Sequence, residues 1–468
     1  MIRRLLLAAT VLLPAAPALA QAFPPAPAIA PPKPFAIPAS ETYTLPNGLT
    51  VSLIPWGVAP KTYVVLSVYA GNLNDGAQTW MADLTAAMLK EGAGGRSSAD
   101  MARAAASLGG NIGAGADEAN TTISIDVLSE NAVAAIGLIG DVAIRPTLPA
   151  GEFARVQANL ARSLAQAYAQ PGAIADFALS RAYYGDHPYG RTLPAPAAFG
   201  AYTLADVKRF YATQFGAKRA HVYIAGRFDA AAVKAAVAAS FGGWTAGPAR
   251  LVLPPTPTAG PRVLLIDRPG APQSTIRVAF PAPAPGSAGD IPFRTANSLL
   301  GGSFNSRITR NIRENKGYTY SPYSGPSFHP GEARWAFNGD VTTAVTGPAL
   351  HEIFAEIRIL AAAPPSQAEW AGTRTYRAGT FTIALGSAAG VIDTLSTIDE
   401  LGLPADWADR YVAATMAVTP AQFSSAIRDN LPLDKLTLVV VGDLKTVTPQ
   451  LQALPELKGI AFRTVTVP

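Results

Sequence analysis

The chain has 468 residues, 49% of them hydrophobic, with a formal net charge of +5 and no cysteine. Since a single hydrophobic core rarely grows beyond about 250–300 residues, this length favours two domains. The missing cysteines exclude disulfides and thiolate metal sites, and the small positive charge, without any Lys/Arg cluster, argues against a nucleic-acid partner.

The N-terminus predicts a secretory signal peptide over residues 1–20. Two arginines at positions 3 and 4 precede a short apolar run and an A-x-A end at residues 18–20, after which cleavage is expected. The run is too short to span a bilayer, so no membrane association is expected after cleavage. Residues 21–40, rich in Pro and Ala, predict an extended linker. The expected location is the periplasm, or otherwise outside the cell.

A helix followed by a buried strand occurs twice with the same spacing. Thr203 opens the first copy and Gly226 closes it, while Thr419 and Gly442 delimit the second. The spacing from Thr to Gly is 23 residues in both copies, and the offset between the copies is 216. Two unrelated helix–strand units could end alike. The equal spacing nevertheless favours a duplicated domain.

A segment with five prolines, residues 248–261, predicts a linker between domains at 41–247 and 262–460. In each half, runs of strands precede runs of helices. This order predicts an α+β fold in which helices cover one face of a mixed, largely antiparallel sheet. No G-x-G-x-x-G motif, P-loop or G-x-S-x-G elbow is present, so dinucleotide, nucleotide and α/β-hydrolase functions lack support.

Five short motifs follow one another along the chain, at residues 43–51, 108–112, 145–153, 187–191 and 300–308. In their sequence and order they resemble the pitrilysin/insulinase family of zinc metallopeptidases, which includes mitochondrial processing peptidase. The resemblance implies two duplicated domains of the processing-peptidase type that form one half of a clamshell.

Active members of this family carry H-x-x-E-H on a helix, where the two His bind zinc and the Glu activates water. The resemblance places Asp83 and Ala87 at the His positions, Ala86 at the Glu position, and Ser163 near the family's distal Glu ligand. Alanine cannot bind a metal, and Asp83 is expected to be an ordinary solvated helix residue. The sequence therefore predicts no metal and no cofactor in this chain.

The four histidines offer no replacement site, because no two of them stand three or four residues apart. His187, before a proline, is expected in a turn, and His221 is expected to begin a core strand. Pro330 and Gly331 predict a turn after His329, so that segment does not form half of a zinc site.

Arg313 and Tyr320 match the family's substrate-side pair. In this resemblance the Tyr hydroxyl donates a hydrogen bond to the scissile carbonyl oxygen and the Arg holds substrate carbonyls nearby, as in oxyanion stabilisation. A helix is expected to end near Lys316 and Gly317, with Tyr320 projecting from the next strand. An Arg in a last helical turn and a Tyr in a strand are also common structural residues. The family match favours the functional interpretation.

Asn111, Ile112 and Gly113 lie in a glycine-rich segment that resembles the edge strand to which the family's substrates add by backbone pairing. The glycines make this strand weak, and a plain flexible edge explains the segment equally well.

Two functions follow. In the first, the chain is the zinc-less subunit of a heterodimeric peptidase: a homologous partner carries H-x-x-E-H with zinc, and this chain contributes Arg313 and Tyr320 to peptide hydrolysis. In the alternative, it is a non-catalytic structural or peptide-binding member that forms a homodimer. Catalysis by the chain alone would need a nucleophile and a base, and no Ser/His/Asp arrangement has a local signature.

Overall fold

The computed structural model describes residues 36–258 and 260–467, so the expected signal peptide and most of the 21–40 linker lie outside the described residues. The strands are β1 (Glu41–Thr44), β2 (Thr50–Pro55), β3 (Lys61–Val68), β4 (Gly92–Ala93), β5 (Arg96–Ser97), β6 (Gly113–Ala116), β7 (Thr121–Leu128), β8 (Ala220–Gly226), β9 (Arg262–Asp267), β10 (Gln273–Ala282), β11 (Tyr323–His329), β12 (Glu332–Thr342), β13 (Thr437–Gly442) and β14 (Phe462–Thr464).

The α-helices are α1 (Met81–Leu89), α2 (Ser98–Ser107), α3 (Ala132–Ile144), α4 (Ala150–Ala169), α5 (Pro171–Tyr184), α6 (Pro196–Gly200), α7 (Leu204–Gln214), α8 (Ala230–Phe241), α9 (Asp290–Leu300), α10 (Thr346–Ala362), α11 (Gln367–Ala384), α12 (Ala388–Leu401), α13 (Trp407–Ala417), α14 (Pro420–Asn430) and α15 (Leu444–Gln452).

Two six-stranded sheets, one in each half, share a strand order. The first runs β1-β2-β8-β3-β7-β6 and the second β14-β9-β13-β10-β12-β11. In both, one inner pair is parallel, β2 with β8 and β9 with β13, while the three pairs on the other side are antiparallel. The outermost strands differ, since β1 is antiparallel to β2 and β14 is parallel to β9. The expected duplicated, mixed and largely antiparallel α+β fold is confirmed.

The repeated helix–strand pattern is formed by the same local chemistry in both halves. Thr203 is the N-cap of α7 and Thr419 is the N-cap of α14, and each closes a capping box with the residue three positions on. The strands that follow, β8 and β13, end at Gly226 and Gly442. The predicted pattern is therefore confirmed at both of its ends.

One face of each sheet packs on helices of its own half and forms a separate core. In the first half α1, α3, α7 and α8 contribute buried side chains, and in the second half α9, α10, α14 and α15 do so. The second sheet continues past residue 460, because β14 pairs with β9.

The expectation that helices cover only one face of each sheet is wrong. Apolar residues of α5, from the first half, pack against β10 and β13 of the second sheet. Val391 and Ile392 of α12, from the second half, pack against Ile54, Val65 and Ala225 of the first sheet. The central strand β8 is buried along its whole length, so its outer face needs an apolar cover that its own half does not supply.

Among the described residues, no single helix has both the length and the apolar composition of a membrane span. The bent pair α11 and α12, which meet at 107°, passes that test only when the two helices are taken together.

Candidate functional site

Arg313 lies in a π-helical segment, Thr309–Asn315, whose buried residues Thr309 and Ile312 face the protein interior. The segment stops in a left-handed turn, because Gly317 has a φ of +65° and the Tyr318 amide donates to the Ile312 carbonyl at 2.8 Å. The expected helix end near Gly317 is confirmed. Short π-helical stretches occur frequently at functional sites.

Tyr320 does not project from a strand, so that expectation is wrong. An isolated bridge joins Thr319 to Val341, and the Thr319 hydroxyl donates to the Asp340 carbonyl at 2.6 Å. Regular pairing begins only at Tyr323, where the register with β12 is shifted by one residue relative to the Thr319–Val341 bridge. Tyr320 lies in the bend between them, and its side chain is 79% exposed.

The structure brings Arg313 and Tyr320 together and adds a third residue. The Arg313 guanidinium carbon lies 5.0 Å from the centre of the Tyr320 ring and 4.4 Å from the centre of the Phe304 ring. We call Phe304, Arg313 and Tyr320 the aromatic–arginine cluster. The Arg313 Nε lies 3.3 Å from a Glu314 carboxylate oxygen, whereas no described residue accepts a hydrogen bond from the two Nη atoms. These donors are available to a ligand.

The positions that the resemblance assigns to the family's zinc ligands and base do not form a metal site. Ala86 is buried, Ala87 is half-buried and Ser163 is exposed on α4. Asp83 accepts a hydrogen bond from the Asn72 amide at 2.7 Å, and burial raises the pKa of its carboxyl. The expectation that Asp83 is solvated is therefore wrong. No three His, Asp or Glu residues of the described chain come together as metal ligands. The residues present do not fit zinc.

A second carboxylate, Asp75, holds the start of α1. It accepts hydrogen bonds from the amides of Trp80 and Ala82, both at 2.8 Å, and from the Asn72 side chain at 3.0 Å. The capping residue Trp80 itself has a φ of +69° and makes no side-chain cap. Burial raises the pKa of Asp75 to about 7. The sequence did not point to this residue, because it caps the helix from a preceding turn.

Of the three residues assigned to the substrate edge, only Gly113 lies in a strand. It begins β6, which pairs with β7 alone and forms an edge of the first sheet, while Asn111 and Ile112 precede it. Within the described residues, no hydrogen bond, ion pair or ring contact joins the aromatic–arginine cluster to β6 or α1.

The histidine expectations are confirmed for three positions. His187 caps a short 3₁₀ turn by accepting a hydrogen bond from the Tyr189 amide. His221 lies at the start of β8 and is buried. His329 ends β11, and Gly331, with a φ of +77°, makes the tight turn into β12.

The fold also assembles a Ser/His/Asp relay that no local motif indicates. The His221 Nε2 lies 2.9 Å from the Ser52 hydroxyl, and its Nδ1 lies 2.8 Å from the Asp399 carboxylate. Ser52 is only 4% exposed, and its hydroxyl also forms a hydrogen bond of 2.8 Å with the Thr42 hydroxyl. It stands within β2, which is paired on both sides, so the strand's backbone amides are engaged in the sheet. Ser52 is buried and has no free amides beside it for an oxyanion, so it does not form a nucleophile site. The contact between His221 and Asp399 joins the two halves.

The two duplicated α+β domains with a shared strand order define the class of fold. Two family models match: the insulinase model (peptidase family M16) at residues 57–197 and the peptidase M16 inactive domain at residues 201–376, together more than half of the chain. The chain belongs to the insulinase family of peptidases, M16.

Relatives and solved structures agree with this assignment. An uncharacterized zinc protease of Mycobacterium tuberculosis is 28% identical over 298 residues, 62% of this chain and 68% of the relative. One from Streptomyces coelicolor is 26% identical over 245 residues, covering 51% and 53%. A peptidase M16 inactive domain from Pseudomonas fluorescens superposes with a TM-score of 0.79 at 24% identity, covering 86% of this chain and 98% of that one. A protease from Helicobacter pylori has the same TM-score at 18% identity, covering 86% and 100%. These two structural similarities show the fold alone.

Proposed function

We propose that this chain is the zinc-less subunit of a two-subunit M16 peptidase that acts on peptides or unfolded segments. The observation that carries the proposal is an asymmetry between the halves. In the second half the half-buried Arg313 lies beside the exposed Tyr320, and its Nη atoms have no acceptor among the described residues. In the first half Ala86, Ala87 and Ser163 occupy the ligand and base positions.

In this proposal a homologous partner carrying H-x-x-E-H holds zinc, which supplies the activated water. The Tyr320 hydroxyl donates a hydrogen bond to the carbonyl oxygen of the scissile bond as negative charge develops there. The Arg313 Nη groups donate to substrate carbonyls and keep the peptide extended. Both donors are in place before the substrate arrives, so little reorganisation is needed during the reaction.

Two further parts of the proposal concern binding and location. The free edge at β6, entered through Asn111, Ile112 and Gly113, would add the peptide as an extra strand by backbone hydrogen bonds. The basic start, the short apolar run and the A-x-A end of residues 1–20 support export to the periplasm with removal of that segment.

The test is a mixing experiment with Tyr320→Phe. Purified alone, the chain should bind no stoichiometric zinc and cleave no peptide, whereas mixing with an H-x-x-E-H homologue should create activity. Because one oxyanion donor is lost, Tyr320→Phe should lower kcat of the mixture by about 10²–10³-fold. Peptide cleavage under single-turnover conditions measures this effect, with Tyr323→Phe, another exposed tyrosine nearby, as the matched control. Full activity of the Tyr320→Phe mixture would refute the proposed role.

The same preparation distinguishes the alternative function. A chain that elutes as a stable dimer on its own, and that gains no activity with any zinc-carrying homologue, would be a self-associating structural or peptide-binding member. Size-exclusion chromatography with light scattering on the isolated chain and on the mixture decides between these outcomes.

A further inference from the structure

The loop that carries Phe304 is fixed to the same strand that follows Tyr320. The Ser324 amide of β11 donates to the Gly301 carbonyl at 2.9 Å. Asn297 and Ser324 exchange two hydrogen bonds, at 2.9 and 2.8 Å, directly behind the loop. A Cβ on Gly301 would overlap the Ser324 hydroxyl, so only glycine permits this approach. The two aromatic residues of the cluster are therefore attached to one scaffold.

The other end of the loop is held by an ion pair. Arg307 donates two parallel hydrogen bonds, both 2.9 Å long, to the Glu369 carboxylate at the start of α11. These bonds lower the pKa of Glu369 to about 2, so the pair stays charged above that pH. With both ends anchored, Phe304 has a fixed backbone position although its side chain is 65% exposed.

Phe304 is exposed on a fixed loop, and its contact with Arg313 accounts for its position. A guanidinium within about 6 Å of an aromatic centre is attracted by the negative face of the ring. Arg313 lies 4.4 Å from Phe304 and 5.0 Å from Tyr320. A guanidinium held by ring faces keeps its N–H groups, which point outward in its plane, free for hydrogen bonds. A carboxylate in the place of Phe304 would hold the cation but would occupy those donors.

We propose that Phe304 is a positioning residue, which holds the Arg313 guanidinium beside Tyr320 so that its donors face the substrate. The inference rests on the proposed function and deepens it. Phe304 acts through Arg313, because it carries no polar group of its own. Its loss should therefore weaken binding of the peptide in the ground state, whereas loss of the Tyr320 hydroxyl should slow the chemical step.

Kinetics of the two-subunit mixture test this assignment. Phe304→Leu keeps an apolar side chain but removes the ring, and should raise KM about two- to five-fold, the range of an exposed cation–π contact, with kcat nearly unchanged. Phe304→Tyr should restore the wild-type KM. Phe304→Leu should have no additional effect in an Arg313→Ala background. Ile383→Ala, at another exposed apolar residue, on α11, is the control and should change neither constant.

A second measurement needs no partner subunit. With ¹³C-labelled arginine in the full isolated chain, the Arg313 side-chain protons should show a ring-current shift from Phe304, detected as a change on Phe304→Leu that Phe304→Tyr does not cause. The Tyr320 ring contributes the shift that remains in Phe304→Leu. Absence of the shift from Phe304, or an unchanged KM in an active Phe304→Leu mixture, would overturn the positioning role. If Tyr320→Phe and Arg313→Ala leave the mixture fully active, the proposed function fails instead, while the shift still reports the packing of Arg313 on Phe304.

Discussion

A carboxyl group buried between two domains is stable only when it is neutral or paired, and Glu332 meets this requirement at the junction of the two halves. The Tyr184 hydroxyl of α5 donates to one of its oxygens at 3.0 Å, while its other oxygen has no hydrogen-bond partner among the described residues. Burial raises the pKa of Glu332 to about 7, and Arg334 opposes this rise only partly. The group is therefore protonated in the folded protein below neutral pH.

Glu332 should make the free energy of unfolding fall as pH rises from about 4.5, the ordinary pKa of Glu, to about 7. In that window the folded state keeps a proton that the unfolded state has lost, so each pH unit costs up to about 1.4 kcal/mol. Glu332→Gln should remove this contribution and flatten the slope. Urea unfolding at pH 5, 6, 7 and 8 measures it, with the exposed Glu130→Gln as the control. Equal slopes for the wild type and Glu332→Gln would show that the carboxyl is not held neutral.

At the scale of single elements, α12 is attached to the first sheet by polar as well as apolar contacts. Its Asp399 accepts from the Tyr223 hydroxyl and from His221, which are 1% and 6% exposed. Burial raises the pKa of Asp399, but the hydrogen bonds that Asp399 accepts from His221 and Tyr223 outweigh burial, so the pKa lies below its ordinary value. One helix of the second half therefore satisfies two buried polar groups of the first.

Asp399→Ala should destabilise the protein by about 1–3 kcal/mol, because it leaves the buried Tyr223 and His221 groups without their partner. Asp393→Ala, an exposed change on the same helix, is the control.

Ser52→Ala should lower the free energy of unfolding by about 1 kcal/mol and leave peptide cleavage by the two-subunit mixture unchanged. Urea unfolding and the cleavage assay measure these effects; loss of hydrolysis in Ser52→Ala would show that the relay is catalytic after all.

At the scale of the whole molecule, the exchange of α5 and α12 makes each half part of the other's fold. Neither sheet can bury both faces alone, since the cover on one face belongs to the other half. Exposing these apolar faces to water would lower the stability of each half. The two duplicated domains should therefore behave as one cooperative unit, in spite of the proline-rich segment between them.

The full chain should unfold in a single calorimetric transition, with equal calorimetric and van't Hoff enthalpies. Residues 36–247 expressed alone should expose the face formed by Ile54, Val65 and Ala225 and bind the dye ANS, and mixing with residues 260–468 should suppress this binding. Two separate transitions in the full chain, one matching the isolated first half, would contradict the coupling.

The sequence by itself determined the features that depend on local pattern. The capping threonines 203 and 419, the left-handed Gly317, the turn at Gly331 and the two mixed sheets were all predictable, since each depends on neighbouring residues or on the periodicity of one segment. The alanines at positions 86 and 87, where the resemblance places the family's base and one of its zinc ligands, are likewise a matter of residue identity.

Only the tertiary structure decided which distant groups meet. The approach of Phe304 to Arg313, the half-burial of Asp83 against Asn72, the Ser52–His221–Asp399 relay and the exchange of helices between the halves join segments up to hundreds of residues apart. Each depends on the packing of whole elements, which sets distances that no local pattern encodes. Arg313 and Tyr320 could be predicted from the chain, whereas the part played by Phe304 and the arrangement of the three residues could not.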